Sequence, residues 1–257
     1  MKATAKVCIF IPAYNCERTV ARVIDDIPSG IRKNATILVI DDGSADNTSD
    51  AVLQYKKQHT MSNLILKKNP HNLGYGGTQK VAYRYAIDNG YAIVFMVHGD
   101  KQHPGNEKII EALSLMDGTC ALVYGSRMLG NPRKGGMPFY KLIGSKVLTA
   151  IENLVLGTKL TEFHSGFRAY SCAHLKQINF EKLTDRYFFD TEILIQIVQK
   201  KFVIKEIPIP TYYGPDSGYG IPFTESVKYS LSILKTLLEY TLSSRGLVKS
   251  RKFATEV

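Results

Sequence analysis

The sequence predicts an α/β fold on a mainly parallel central sheet flanked by helices. Two observations predict it. Short apolar runs with little polar alternation recur through the first half of the chain, as strands buried on both faces do. Segments of helical spacing lie between them, so strand and helix alternate.

The elements follow in order. Strands are read at residues 6–11, 36–40, 63–66, 91–97 and 120–124. Helical spacing occupies 17–27, 49–58, 76–89 and 106–116. Asp88-Asn89-Gly90 ends the third of these helices, because glycine readily takes the left-handed conformation that closes a helix. A further helix over 137–156 carries Leu142, Val147, Ile151 and Leu154 on or near one face. A helix over 190–201 leads into a strand at 203–207, and Pro208 and Pro210 then break regular structure. The last helix, 222–242, places Val227, Leu231, Leu234 and Leu238 on one stripe. That pattern suits a core helix and a membrane-surface helix equally.

Composition narrows the partners. The chain has 257 residues, with 33 Lys+Arg against 23 Asp+Glu, a formal net charge of +10. This favours anionic ligands: phosphates, nucleic acid or an acidic membrane surface. No nucleic-acid module or aromatic–basic interleaving is present, so nucleic acid is not an expected partner. No stretch reaches the ~18 apolar residues of a membrane span. The first residues lack a leader pattern, which predicts an intracellular protein. Cys8, Cys16, Cys120 and Cys172 are scattered without a C-x-x-C, so reduced thiols are expected.

Ligands of open α/β sheets bind beyond the carboxyl ends of the strands. The unusual polar residues of this chain fall there. The first strand runs into Pro12-Ala13-Tyr14-Asn15, and the second ends in Asp41-Asp42-Gly43-Ser44. The third leads to Asn72-Leu73-Gly74-Tyr75-Gly76-Gly77, and the fourth ends in His98-Gly99-Asp100-Lys101-Gln102. Each piece also has a plainer reading. Asp, Gly and Ser are turn residues. Gly74, Gly76 and Gly77 either relieve crowding at a helix start or let backbone N–H groups approach a phosphate. Neither the dinucleotide fingerprint nor a P-loop is present. A nucleotidyltransferase would need a basic glycine-rich loop after the first strand, and Pro12–Asn15 does not supply one.

Ile11-Pro12-Ala13-Tyr14-Asn15 with Glu17, Val39-Ile40-Asp41-Asp42-Gly43-Ser44 with Asp46-Asn47-Thr48, and Asn72-Leu73-Gly74 together resemble the opening of the family 2 inverting glycosyltransferases. Gly125-Ser126-Arg127 and Ser165-Gly166-Phe167-Arg168 resemble the branch that includes dolichyl-phosphate mannose synthase and other polyprenyl-phosphate sugar transferases. The resemblance implies a GT-A nucleotide-sugar-binding fold. It also implies transfer, with inversion, from a UDP- or GDP-linked sugar to a polyprenyl phosphate. A saccharide or other soluble acceptor in glycan synthesis is the alternative.

Carried over by position, Pro12, Ala13, Tyr14 and Glu17 border the base and ribose, and Asp41, Asp42 and Gly43 accept hydrogen bonds from them or shape the loop. Gly74 and Gly77 lie towards the phosphates. Asp100, with Gln102, meets the diphosphate and a Mg²⁺ or Mn²⁺ ion. The usual Asp-x-Asp is replaced here by His98-Gly99-Asp100, so His98 has three readings: metal ligand, donor to phosphate, or packing residue. Arg127 and Arg168 suit phosphate or sugar, since a guanidinium makes two parallel hydrogen bonds, or each caps a strand or pairs with a nearby carboxylate. Apart from the resemblance, Arg133, Lys134 and Lys141 flank Gly135-Gly136, a segment that either orders over an anionic acceptor or is a solvated loop. Glu162 is the candidate general base or acceptor-positioning residue, and an ionised lipid phosphate needs no base. The expected division is a catalytic domain over 1–215 and a helical extension with a basic tail over 216–257. The expected place is the cytoplasm, at the inner face of a membrane through peripheral contact.

Overall fold

The computed structural model describes residues 6–98, 107–213 and 223–253. Its sheet has seven strands: β1 (Val7–Ala13), β2 (Thr36–Asp41), β3 (Leu64–Lys68), β4 (Ile93–Met96), β5 (Cys120–Ser126), β6 (Arg168–Ser171) and β7 (Val203–Pro208). Their order is β3-β2-β1-β4-β6-β5-β7. All neighbouring pairs are parallel except those of β6, which runs antiparallel to both β4 and β5. The helices are α1 (Val20–Asp25), α2 (Ser29–Asn34), α3 (Thr48–Gln58), α4 (Gly74–Asp88), α5 (Lys108–Ser114), α6 (Phe139–Leu156), α7 (Cys172–Leu175), α8 (Phe189–Gln199) and α9 (Phe223–Ser244).

The predicted strands are present because their apolar residues serve both faces of the sheet. In β1, Cys8 and Phe10 join one core cluster, and Ile9 and Ile11 the other. β3 differs: it is an edge strand and ends in exposed Lys67 and Lys68, which discourage pairing with another chain. β6, α2 and α7 were not expected. The four residues of β6 form a strand because β4 and β5 offer ladders on both sides of them.

Connections reverse direction between β1 and β4, so the carboxyl ends of β1, β2 and β4 open one crevice. On the other half of the sheet, α6, α8 and α9 cover one face, with Leu148, Leu156, Ile193, Ile233 and Leu237 in one cluster. The stretch after α9 also returns to this core: Phe253 is buried, and Lys252 Nζ lies 2.7 Å from buried Glu192 Oε1. The basic tail is therefore in part a strap across α8.

The apolar stripe of α9 faces the other way from a core stripe. Val227, Leu231, Leu234 and Leu238 are exposed, whereas Ile233, Thr236 and Leu237 are buried. In α6 likewise, Val147 and Leu154 are exposed while Leu148 and Leu156 are buried. Among the described residues no helix is long and apolar enough to cross a membrane.

Candidate active site

The crevice is framed by loops that bind one another. Asn15 N donates to Ser44 Oγ at 2.9 Å, and Ala45 N to Asn15 Oδ1 at 3.0 Å. Glu17 Oε2 accepts from Asn47 N at 3.1 Å, and Asp46 Oδ2 from Glu17 N at 3.1 Å. Glu17 thus closes the loop onto the start of α3. Tyr14 projects from this frame with half its surface exposed, beside Pro12 and Ala13.

The two carboxylates after β2 face inwards. Asp41 is fully buried; its Oδ1 accepts from Ser44 N at 2.8 Å and its Oδ2 from Ser49 Oγ. Burial pushes the Asp41 carboxyl up, but these hydrogen bonds outweigh it, and the acid stays below its ordinary value. Asp42 Oδ1 accepts from Asn69 Nδ2 at 2.7 Å and Leu73 N at 2.9 Å, and its Oδ2 from Gly74 N at 3.0 Å. Asp42 therefore pins the loop after β3. Gly43, with φ +71°, is needed there, because a Cβ would lie 2.7 Å from the His71 carbonyl carbon.

The glycines at the start of α4 serve packing. A Cβ on Gly74 would lie 2.6 Å from the Asp185 carbonyl oxygen, and one on Gly77 would lie 2.8 Å from Leu73 Cβ. Gly76 N donates to Asp185 O at 2.9 Å. With the Leu73 and Gly74 N–H groups on Asp42, three amides at this helix start have protein acceptors.

Arg168 and Glu162 are both engaged within the protein. Arg168 is wholly buried and takes the carboxylate-pairing alternative. Its Nε donates to Ser165 O and its Nη2 to Phe163 O, both at 2.6 Å, and Nη2 lies 3.7 Å from Asp190 Oδ2. Burial disfavours its charge, but Asp190 and neighbouring tyrosines outweigh that and hold it protonated. Glu162 is equally buried and already engaged. Its Oε2 accepts from Arg127 N at 2.7 Å and its Oε1 from Arg127 Nε at 2.6 Å. A carboxylate held this way orients Arg127 and is not placed as a free base.

The other edge of Arg127 faces Tyr213 and Lys141. Its Nη1 donates to Tyr213 Oη at 3.1 Å, and Lys141 Nζ lies 5.6 Å above the Tyr213 ring. Burial, and then the Arg127 charge, holds Lys141 below its ordinary value. Along the inner side of α6, Ser145 Oγ and Thr149 Oγ1 are buried without a hydrogen-bond partner among the described residues, and Glu152 Oε2 lies 3.0 Å from His164 Nε2. Groups of this kind in a native fold call for water or a polar ligand.

His98 packs. Its ring fills the space a Cβ on Gly166 would take, and it stacks on Tyr75 with centroids 5.8 Å apart. Tyr75 Oη donates to Asp190 Oδ2 at 2.8 Å. Asp190, read from sequence only as a helix-start residue, is thus the hub joining α4, β6 and α8. Asp100 and Gln102 lie outside the described residues. Among those described, no group of three metal-ligating side chains comes together.

The profile of glycosyl transferase family 2 matches residues 8–178. The chain belongs to glycosyl transferase family 2. It is a glycosyltransferase with a GT-A fold. Among its relatives is UDP-N-acetylglucosamine–dolichyl-phosphate N-acetylglucosaminyltransferase of Methanococcus voltae, 28% identical over 88% of this chain and 95% of that protein. Another is polyprenol monophosphomannose synthase of Mycolicibacterium smegmatis, 22% identical over 81% of this chain and 78% of that one. The UDP complex of glucosyl-3-phosphoglycerate synthase from Mycobacterium tuberculosis superposes with a TM-score of 0.68 at 20% identity, covering 97% of this chain and 83% of that one. That likeness concerns the fold alone.

Proposed function

We propose that this family 2 enzyme transfers a sugar from a UDP- or GDP-linked donor to a polyprenyl phosphate of the dolichyl type. The observation that carries the reading is the kinship, over most of both chains, with transferases named for dolichyl and polyprenyl phosphates. The geometry supports it. Arg127 and Lys141 meet at Tyr213, and the unpartnered hydroxyls of Ser145 and Thr149 lie along the same helix. An ionised phosphate suits such a group, since charge-assisted hydrogen bonds are the strong ones.

In this reading Tyr14, Pro12 and Ala13 border the nucleotide, held in place by the Asp41, Asp42 and Glu17 loops. The acceptor phosphate oxygen forms a bond to the anomeric carbon, and the bond from that carbon to the nucleoside diphosphate breaks on the opposite face. The acceptor is already an anion, so no general base is required, consistent with the engagement of Glu162 by Arg127. Structures similar to this chain hold Mg²⁺ or Mn²⁺ with UDP. Asp100 and Gln102 are the residues assigned to such an ion here, which when bound would offset charge on the departing diphosphate. The described residues do not form a metal site by themselves.

The test is transfer of label from UDP- and GDP-sugars, with Mn²⁺, to dolichyl phosphate or to soluble phosphate and saccharide acceptors. Label in the organic phase with one donor class is expected. Transfer confined to soluble acceptors would overturn the lipid assignment. A donor nucleotide at 100 times its dissociation constant should also stabilise the fold by about 2.7 kcal/mol.

A further inference from the structure

No step of the proposed transfer involves the chain after α9, yet that stretch meets the first turn of α8 at a buried carboxylate. Asp190, Thr191 and Glu192 leave this turn in three directions. Asp190 accepts from Tyr75 and Gln79 of α4, and Thr191 Oγ1 donates to Glu152 Oε1 of α6 at 3.1 Å. Glu192 is wholly buried; its Oε2 accepts from Thr184 N at 2.6 Å and its Oε1 from Lys252 Nζ at 2.7 Å.

The strap is seated so that Lys252 cannot drift from this carboxylate. Gln196 Nε2 donates to Lys252 O at 2.6 Å, and Ser250 Oγ donates to Glu239 Oε1 at 2.7 Å. Phe253 is buried, edge-on to the Tyr240 ring. Glu239 Oε2 lies 3.6 Å from Lys252 Nζ, so two carboxylates share one ammonium. Burial pushes the Glu192 carboxyl up and Glu239 adds to the rise, while Lys252 and the Thr184 amide pull against them. Without Lys252, Glu192 is a buried charge with no cation, an arrangement that strongly destabilises a fold.

Thr184 and its neighbours press on the donor side of the crevice. Gly76 N donates to Asp185 O at 2.9 Å, and Lys80 Nζ lies 2.7 Å from Asp185 Oδ1 and donates to Leu183 O. The fit is tight, since a Cβ on Gly76 would collide with Thr184 O. At the same helix start, the Leu73 and Gly74 amides are held by Asp42. A continuous set of short contacts therefore runs from Lys252 through Glu192, Thr184 and Asp185 to Gly76 and the Asp42 loop.

We propose that Lys252 is a positioning residue for the donor side of the crevice: by holding Glu192 on the Thr184 amide it fixes the start of α4 and the loop that Asp42 pins. The alternative is a pair that only secures the strap. Stability does not require an ion pair here, because an apolar pair of similar volume often replaces one without loss. What an apolar pair cannot do is hold the Thr184 amide. The inference rests on the donor reading for its nucleotide measurement alone; amide exchange tests it without ligand.

The experiment compares the full chain with Lys252→Met and with two double variants, Lys252→Met/Glu192→Leu and Lys252→Met/Glu192→Gln. Stability is read by urea unfolding, amide exchange by mass spectrometry over residues 71–77 and 183–186, and affinity by calorimetric titration of UDP and GDP. Lys252→Met should unfold at lower urea. The Leu double variant should regain the parent's stability, yet exchange in both segments should rise at least about tenfold and nucleotide should bind at least about threefold more weakly. The Gln double variant keeps an acceptor for Thr184 and should recover most of both. Parental exchange and affinity in a stable Leu double variant overturn the proposal and leave the pair as a fastening of the strap. So does faster exchange confined to 183–186, or a Gln double variant that behaves like the Leu one. A parent that binds neither UDP nor GDP refutes the donor reading, and exchange over 71–77 then decides the positioning role by itself.

Discussion

Replacing Asp42 with Ala should destabilise the fold before it touches nucleotide chemistry. Asp42 is 5% exposed and accepts from Asn69 Nδ2, Leu73 N and Gly74 N. Gly74 N has a second acceptor in Asn72 Oδ1 at 2.8 Å, so it is not stranded. The Leu73 amide loses its acceptor, and Asn69 Nδ2 keeps only a long contact to Thr78 Oγ1 at 3.5 Å. Two polar groups left unsatisfied, at about 1–3 kcal/mol each, give a loss of about 2–4 kcal/mol once partial rehydration is allowed. For a chain of this length, each kcal/mol shifts the melting temperature by about 2–4 °C. A fall of roughly 5–15 °C is therefore expected, with Asp42→Asn in between because one acceptor oxygen survives. The assay is thermal unfolding of the variants, paired with calorimetric titration of UDP and GDP at a temperature where all remain folded. An unchanged melting temperature with a large loss of nucleotide affinity would refute this reasoning and place the carboxylate on the ligand.

Two other outcomes follow from the same structure. Gly166→Ala forces a Cβ into the His98 ring, and overpacking of this kind costs about 1–3 kcal/mol; adding His98→Ala should recover most of that loss in chemical denaturation, and strictly additive losses would show that the two do not share the space. Lys141 is held below its ordinary value by burial and by Arg127; only its protonated form attracts a phosphate, so affinity for a short-chain prenyl phosphate should fall as pH rises through that lowered value, earlier than for an ordinary lysine. Lys141→Arg should flatten the calorimetric pH profile, and an identical slope in both proteins would remove Lys141 from the acceptor site.

Much of the sheet was legible because buried parallel strands demand apolar runs, as Ile9–Ile11, Ile37–Ile40 and Val94–Phe95 show. β6 was not legible, since Arg168–Ser171 is short, begins with a charge and owes its ladder to strands distant in sequence. The orientation of α9 was hidden for another reason. Val227, Leu231, Leu234 and Leu238 define a clean stripe, but Tyr229, Ile233, Leu237 and Tyr240 define a second one that packs on the core. Periodicity identifies stripes and cannot say which of two meets the body. Strand ends and loop motifs pointed to the crevice beyond the carboxyl ends of β1, β2 and β4. The destinations of individual charges were invisible, because the partners of Glu162 and Arg168 depend on folding that brings Arg127 and Asp190 beside them.

His98, where the chain departs from the family triplet, is tied to the rest of the site by packing. Its ring needs Gly166 to lack a side chain, and it stacks on Tyr75. Tyr75 donates to Asp190, Asp190 faces Arg168, and Arg168 holds the carbonyls of Phe163 and Ser165 on either side of His164. Glu162, which orients Arg127, begins that same segment. The end of β4 and the proposed acceptor group are thus joined by short, buried contacts, in which each partner leaves the next little freedom. Substitutions at position 98 should therefore be read with Gly166 and Tyr75 in view, because the residue there sets the shape of the space between them. An aspartate at 98 would be smaller than the imidazole, would leave part of the Gly166 cleft unfilled, and would bring a charge beside Tyr75 whose hydroxyl already serves the Asp190 carboxylate. Restoring the family residue alone need not restore the family geometry, because the neighbours here are fitted to a ring.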